Sequence, residues 1–283
     1  MKQVFCFVAA AAMMAACTQV NDMNAGIGEN ETLVQFRVSG DFERPTFTRG
    51  ELSADGSSMT DLWVFDFVDG ECAQSLHLTP EDEGWGAPAM VMSLGEHNVC
   101  FVAARGDNPE LNEEEMTIMW AIPKDAFWGE TTLNVSQNTT PVSVTLDRIA
   151  TKLRLLATDA VPANAAVVAA TPETWYYGVN YFTGEPTGEQ KKERTVTIPS
   201  SYAGTDGRLA ISFFGISGSA EWTTDVVLSS RDAQGNVIGS ATIVGAPFKA
   251  NRATEYSGRL FTKDGQMDVS LNAAWADAYT GTW

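Results

Sequence analysis

The first patterned segment of the chain shows strict alternation of apolar and polar residues. Val34, Phe36 and Val38 would face one way along an extended chain, and the residues between them are polar. Successive side chains of a β-strand point to opposite faces of the sheet. The alternation therefore predicts a half-buried strand that begins near Leu33.

The segment Met59–Val68 is rich in aromatic and β-branched residues on both faces of an extended chain. This composition is typical of a central strand that is buried on both faces. Asp69-Gly70 then predicts a tight hairpin turn. Further strands of the first half are predicted at Ala73–Leu78, Ala89–Leu94, Val99–Ala104, Thr131–Val135 and Val142–Leu146.

One helix is predicted in the first half. Asp107-Asn108-Pro109 offers a capping side chain followed by proline, and acidic residues continue to about Glu115. Such residues favour the first turn of a helix, where free N–H groups and the positive dipole end lie.

The second half begins with another alternating segment, Ile149–Ala157, and its later turn signals are about ten residues apart. This spacing favours a β-sandwich over helix-linked parallel strands. The predicted fold is all-β, with two β-sandwich domains at residues 32–146 and 147–283. Residues 17–31, which are polar and lack apolar periodicity, are predicted to be a tether.

The N-terminal segment Met1–Cys17 has the pattern of a lipoprotein export signal. Lys2 supplies a positive charge, an apolar stretch follows, and Ala15, Ala16 and Cys17 give the small–small–Cys ending that lipoprotein signal peptidase requires. The apolar part of such a signal is about 7–15 residues, shorter than the ~20 that span a bilayer as a helix. Removal of residues 1–16 and a lipid on Cys17, holding the protein to the outer membrane, are predicted. The alternative is an ordinary secretory signal with an incidental cysteine.

The net charge limits the partners that this protein can bind, and the cysteine content limits the disulfides that it can form. The formal net charge is −18 at pH 7, so a phosphate backbone would be repelled and no nucleic-acid partner is expected. Of the four cysteines, Cys6 lies in the signal and Cys17 would carry lipid. An exported protein can form a disulfide between the remaining pair, Cys72 and Cys100. Two buried free thiols are the other interpretation.

Signatures of catalysis are missing from the sequence. It has two histidines, His77 and His97, well separated in the chain, and no HExxH, CxxC, GxSxG or phosphate-loop motif. A zinc site needs three or four protein ligands at workable spacing. We expect no enzymatic activity, no cofactor and no metal site, and we expect both histidines to be ordinary surface or strand-edge residues.

The eight tryptophans suggest an alternative function. Trp63 and Trp120 lie in apolar strand patterns and are predicted to be core residues. Trp85 and Trp128 stand beside glycines in polar loops, and Trp175 belongs to an aromatic patch. Exposed aromatic faces stack on sugar rings, so these three residues would be the platforms of a glycan-binding surface lipoprotein.

Four segments occur in an order that carries a family resemblance: Thr60–Phe67 with Asp69-Gly70, Val142–Leu156, Pro247–Phe261, and the tail with Trp275 and Trp283. Together they resemble the fimbrillin superfamily, which builds lipoprotein-derived pili on certain Gram-negative anaerobes. The resemblance implies two transthyretin-like domains in tandem and a structural role in a fimbrium. The first and third segments are closest in form to the fimbrial anchor and accessory subunits.

The resemblance also implies an assembly mechanism. In stalk subunits, an Arg-specific protease removes the lipid and first strand, and a strand of the next subunit fills the groove. Here the implied cleavage is between Arg49 and Gly50. The removable strand would carry Leu33, Val34, Phe36 and Val38, and the donor strand Met267, Val269 and Leu271. An anchor subunit would instead keep its lipid and first strand. Implied partners are other fimbrial subunits and host protein or glycan ligands.

Overall fold

The computed structural model describes residues 27–40, 59–105, 109–206, 209–263 and 267–274, and within these ranges all regular structure is β. The predicted all-β fold is confirmed. The strands up to residue 148 are β1 (Glu31–Gly40), β2 (Asp61–Val68), β3 (Glu71–Leu78), β4 (Ala89–Ser93), β5 (Gly95–Ala104), β6 (Glu110–Asn112), β7 (Thr117–Met119), β8 (Ala126–Val135) and β9 (Val142–Arg148). The later strands are β10 (Ala150–Ala157), β11 (Ala165–Pro172), β12 (Tyr176–Asn180), β13 (Pro186–Glu189), β14 (Arg194–Thr197), β15 (Ala210–Ile216), β16 (Glu221–Asp232), β17 (Val237–Lys249), β18 (Arg252–Gly258) and β19 (Met267–Ala274).

The first sandwich is one seven-stranded sheet, in the order β3-β2-β5-β8-β9-β1-β4, that curls so that its two halves pack on each other. The rings of Phe36 on β1 and Phe101 on β5 meet edge to face, with centroids 5.3 Å apart. β2 is buried on both faces, as its apolar sequence predicts. Trp63 on this strand is a core residue, and its prediction is confirmed.

The second sandwich packs the sheet β15-β10-β18-β19 against the sheet β14-β11-β16-β17. Its core includes Leu153, Phe213, Val226 and Ile243, together with the aromatic side chains of Trp175 and Tyr177. The alternation of β10 places Leu153 and Leu155 in this core, as expected for a strand of period two.

A third apolar cluster joins the two sandwiches. The small sheet β13-β12-β7-β6 combines strands from both halves of the chain and lies over β2 and β5. Tyr181, which follows β12, stacks on Phe65 of β2 with ring centroids 3.8 Å apart. The core tryptophan predicted at Trp120 is confirmed, since it lies buried in this cluster.

The helix predicted from residue 107 to about Glu115 is wrong in the part that the structure describes. Residues 110–119 form a hairpin of β6 and β7, and β7 pairs with β12. The Oδ1 atom of Asn112 accepts hydrogen bonds from the backbone N–H groups of Glu114 and Glu115, each at 3.1 Å. The capping side chain thus closes the turn of a hairpin. Pairing of β7 with a strand distant in sequence favours this hairpin over a helix.

The chain passes from the first sandwich to the second at Ile149. β9 ends at Arg148, and β10 begins one residue later in a different sheet. β9 therefore crosses the predicted domain boundary between residues 146 and 147.

Candidate functional site

β1 lies inside the seven-stranded sheet, between β9 and β4. Residues 31–35 pair antiparallel with β4, whereas residues 36–40 pair parallel with β9 on the other edge. The N–H groups of Phe36 and Val38 donate to the carbonyl oxygens of Pro88 and Gly86, at 2.8 and 3.0 Å. The second half of β1 is thus bonded on both edges, by β9 and by the loop before β4, and its first half is bonded on the edge that faces β4.

The side chains of β1 follow the alternation read from the sequence. Val34 and Phe36 are fully buried in the first core, and Val38 packs against the core while partly exposed. Leu33 points the other way and is half-buried. The alternation is therefore correct, and Val34 and Phe36 are the side chains of β1 that are fully enclosed by the core.

β19 has a different environment at the other end of the chain. It pairs antiparallel with β18, from Arg252↔Ala274 to Gly258↔Met267. Within the described ranges it is the last strand of its sheet, so its second edge has no strand neighbour. The predicted donor residues Met267, Val269 and Leu271 all lie in this strand.

The disulfide between Cys72 and Cys100 is not formed, and both residues are free thiols. They lie on β3 and β5, with β2 between them, and their cross-strand partners on β2 are Phe67 and Phe65. Cys72 is exposed and Cys100 is buried. Burial raises the pKa of the Cys100 thiol to about 12, and the protein atoms that cover part of the otherwise exposed Cys72 raise the pKa of its thiol as well.

The three tryptophans proposed as glycan platforms are not an exposed aromatic surface. Trp175 is 1% exposed and donates its indole N–H to the carbonyl oxygen of Phe214. Trp128 is partly buried and donates to the carbonyl oxygen of Tyr181, and Trp85 packs against the first core. The platform role of Trp175 is contradicted by its burial.

A different tryptophan, which no sequence pattern singled out, borders a surface cavity. Trp222 lines a space of about 630 Å³ together with Phe248, Lys249 and Arg252. In the sequence, Trp222 lies in a strand whose neighbouring residues are polar, and this pattern does not indicate a cavity. The cavity forms only when β16 and β17 pair.

His97 is buried, contrary to the expectation of a surface or strand-edge residue. Its Nδ1 atom lies 2.7 Å from Oδ1 of Asp66, and its Nε2 atom lies 3.3 Å from Oγ of Ser93. The three side chains are in contact in the order Asp–His–Ser, as in a hydrolase triad. However, Nε2 also lies 3.0 Å from the carbonyl oxygen of Ser93. A carbonyl can only accept, so Nε2 carries a proton there and cannot act as a base toward Ser93.

His77 is half exposed and pairs with Asp61, with Nε2 2.8 Å from Oδ1. In the described ranges, no three His, Cys, Asp or Glu side chains form a group that could hold a metal ion. No helix within the same ranges is long and apolar enough to cross a bilayer. The predicted lipidation site Cys17 and the predicted cleavage pair Arg49 and Gly50 lie outside the described residues.

Comparison with known proteins gives one family and a set of similar folds. Residues 112–282 match the model of a family described only as a family of unknown function, DUF6562. No curated protein sequence matches the chain.

Among solved structures, a candidate adhesin of Bacteroides ovatus aligns with a TM-score of 0.53 and 10% identity, covering 82% of this chain and 88% of that chain. A candidate cell adhesion protein of Bacteroides eggerthii aligns at 0.49 and 12% identity, covering 88% and 98%. The C-terminally truncated tip fimbrial protein Mfa3 of Porphyromonas gingivalis aligns at 0.44 and 13%, covering 87% and 100%. At these identities the Bacteroides ovatus alignment shows a shared fold and nothing more.

Proposed function

We propose that this chain, which belongs to DUF6562, a family of unknown function, is a structural subunit of a cell-surface fimbrium. The fold that it shares with a candidate adhesin supports an adhesive surface role. So does the resemblance of its sequence segments to the fimbrillin superfamily.

The observation that carries the proposal is the position of β1. It is an interior strand of its sheet that pairs with β4 along its first half and with β9 along its second half, and two of its side chains are fully buried. Withdrawal of β1 would open a groove whose walls are backbone edges and whose floor is apolar. An extended strand from another subunit could fill it through backbone hydrogen bonds and alternate apolar side chains.

The order of the predicted sites along the chain fits this use. Cys17 precedes β1, and Arg49-Gly50 follows it. One cleavage at Arg49 would therefore release the lipid and free β1 from the rest of the chain. Until that cleavage, β1 covers an apolar groove that would otherwise promote premature association.

β19 is the proposed donor. It lies at a sheet edge and pairs with β18, and its sequence alternates Met267, Val269 and Leu271 with polar residues. An edge strand can be withdrawn without opening the interior of its own sheet. In an anchor subunit, the lipid and β1 would be retained and the chain would cap the pilus base.

The first test is intact mass spectrometry of the protein recovered from the native cell surface. A chain that begins at Gly50 supports a polymerising stalk subunit. A chain that begins at lipidated Cys17 supports an anchor, or a precursor before cleavage. Any other mature N-terminus within β1 would contradict both forms of the proposal.

A second test uses polymerisation after treatment with an Arg-specific protease. A stalk subunit should give a concentration-dependent ladder of SDS-resistant oligomers, and Arg49→Ala should abolish it. Arg44→Ala is the matched control, because Pro45 follows Arg44 and makes it a poor cleavage site. A normal ladder from Arg49→Ala would show that the cleavage site is elsewhere.

A further inference from the structure

A polar cluster, buried at Asp66 and His97 and partly exposed at Gln74, joins the two ends of the seven-stranded sheet. Gln74 on β3 donates from Nε2 to Oδ2 of Asp66 at 3.0 Å and to the carbonyl oxygen of Val91 on β4 at 2.9 Å. His97 on β5 meets Oδ1 of Asp66 at 2.7 Å. The side chains of Asp66 and His97 are each 1% exposed. Buried polar groups are stable in a fold when they are hydrogen-bonded. Here each hydrogen bond fixes the orientation of the side chain that makes the next one.

The cluster holds β4 from the side opposite β1. In the part of the chain that the structure describes, β4 pairs with β1 alone. The carbonyl oxygens of Val91 and Ser93 are instead bound by side chains, from Gln74 at 2.9 Å and from His97 at 3.0 Å. Neither bond involves β1, so both can persist when β1 is absent.

We propose that Asp66, Gln74 and His97 form a latch that keeps β4 in place after β1 is withdrawn, so that the groove between β4 and β9 stays open for the strand of a second copy. The latch rests on the proposed function, because it matters only if β1 leaves. Asp66, Gln74 and His97 are positioning residues, and the incoming strand does not touch them.

The physical need for a latch follows from the length of β4. It has five residues, two of which, Met90 and Met92, are buried in the first core. A five-residue strand without a paired neighbour has little stability of its own. The exposed apolar groove would favour closure of β4 over it, which would block entry of another strand. Two hydrogen bonds from β3 and β5 oppose that movement.

The experiment uses the full chain with a specific protease site in place of Arg49-Gly50. After cleavage, the β1 fragment is separated in mild urea, and binding of a labelled synthetic peptide of sequence Glu31–Gly40 is followed by fluorescence anisotropy. Gln74→Leu removes both donor bonds and keeps an apolar stem, and His97→Asn is a second variant. Ser75→Leu is the matched control, because Ser75 is exposed on the same strand.

We expect Gln74→Leu to weaken peptide binding at least tenfold and Ser75→Leu to stay within twofold of the unsubstituted protein. Hydrogen exchange should show β4 protected in uncut Gln74→Leu, where β1 still pairs with it, and unprotected only after β1 is removed. The uncut variants thereby check folding. Equal peptide affinity for Gln74→Leu, His97→Asn and the unsubstituted protein would overturn the latch alone. Absence of peptide binding by the unsubstituted cut protein would overturn the proposed function and the latch with it.

Discussion

The first and last strands of the described part of the chain look alike in sequence and differ in the fold. Both alternate apolar and polar residues. β1 has neighbours on both edges, β4 along its first half and β9 along its second. β19 pairs with β18 alone among the described strands. Loss of β1 would leave a groove with two walls, whereas loss of β19 would leave one bare edge.

If the chain polymerises by the proposed strand exchange, this difference gives its two halves separate roles. A groove gives an incoming strand hydrogen bonds along both edges and pockets for its side chains, so the first sandwich is suited to accept a strand. An edge strand can leave while the rest of its sheet remains paired, so the second sandwich is suited to donate one.

The largest effect is expected from deletion of residues 27–40. The apolar floor and both edges of the groove become exposed, so the first sandwich should unfold at a much lower denaturant concentration, while the second sandwich keeps its hydrogen-exchange protection. Addition of the Glu31–Gly40 peptide should restore the lost stability. Equal protection of β9 with and without the peptide would count against an interior role for β1.

A smaller effect is expected from ending the chain after Lys263, which removes β19. The second sandwich should remain folded with a lower unfolding temperature, because one edge of β18 is exposed, and the first sandwich should be unchanged. In the polymerisation assay this chain should still accept a donor but should donate none. Mixing it with an intact subunit should therefore terminate growth; continued growth would show that the donor lies elsewhere.

Phe36→Ala should lower the free energy of unfolding by about 3–5 kcal/mol, the usual cost of removing a buried phenylalanine. Phe36 is fully buried against Phe101. Arg37→Ala is the control, because Arg37 is exposed on the next position of β1, and it should change the free energy by less than about 0.5 kcal/mol. Urea denaturation measures both. Similar costs for the two variants would mean that β1 is not packed as described.

The smallest effect concerns the thiols. In a folded chain starting at Thr18, iodoacetamide should modify Cys72 and spare Cys100 until the protein unfolds. Burial, with the charges of Glu113 and Asp66, raises the pKa of Cys72 above 9.0. Because the thiolate is the reactive form, the labelling rate should still be rising above pH 9. Recovery of a Cys72–Cys100 peptide by mass spectrometry would contradict the free thiols.

The parts of the fold that could be predicted are those encoded by local pattern. The alternation of β1 identified Val34 and Phe36 as buried, and the doubly apolar β2 identified a central strand. What could not be predicted depends on residues distant in the chain. Asp66 and His97 are 31 positions apart, and their contact exists only because β2 and β5 pair.

The wrong helix prediction over residues 110–115 has the same origin. Capping residues and acidic residues are compatible with a helix. The hairpin is favoured only because β7 pairs with β12, which comes from the other half of the chain. The same limit applies to the tryptophans. A glycine neighbour suggested exposure of Trp128, but Gly184 provides the space into which its ring packs.

The shared sheet of β6, β7, β12 and β13 has a mechanical consequence. Since it ties both sandwiches together over an apolar cluster, the two halves of a subunit cannot pivot freely about Ile149. If the proposed fibre forms, its bending would be confined to the junctions between subunits. Tension would pass along each exchanged strand, pulling its parallel pairing with β9 lengthwise, so that all of its hydrogen bonds share the load.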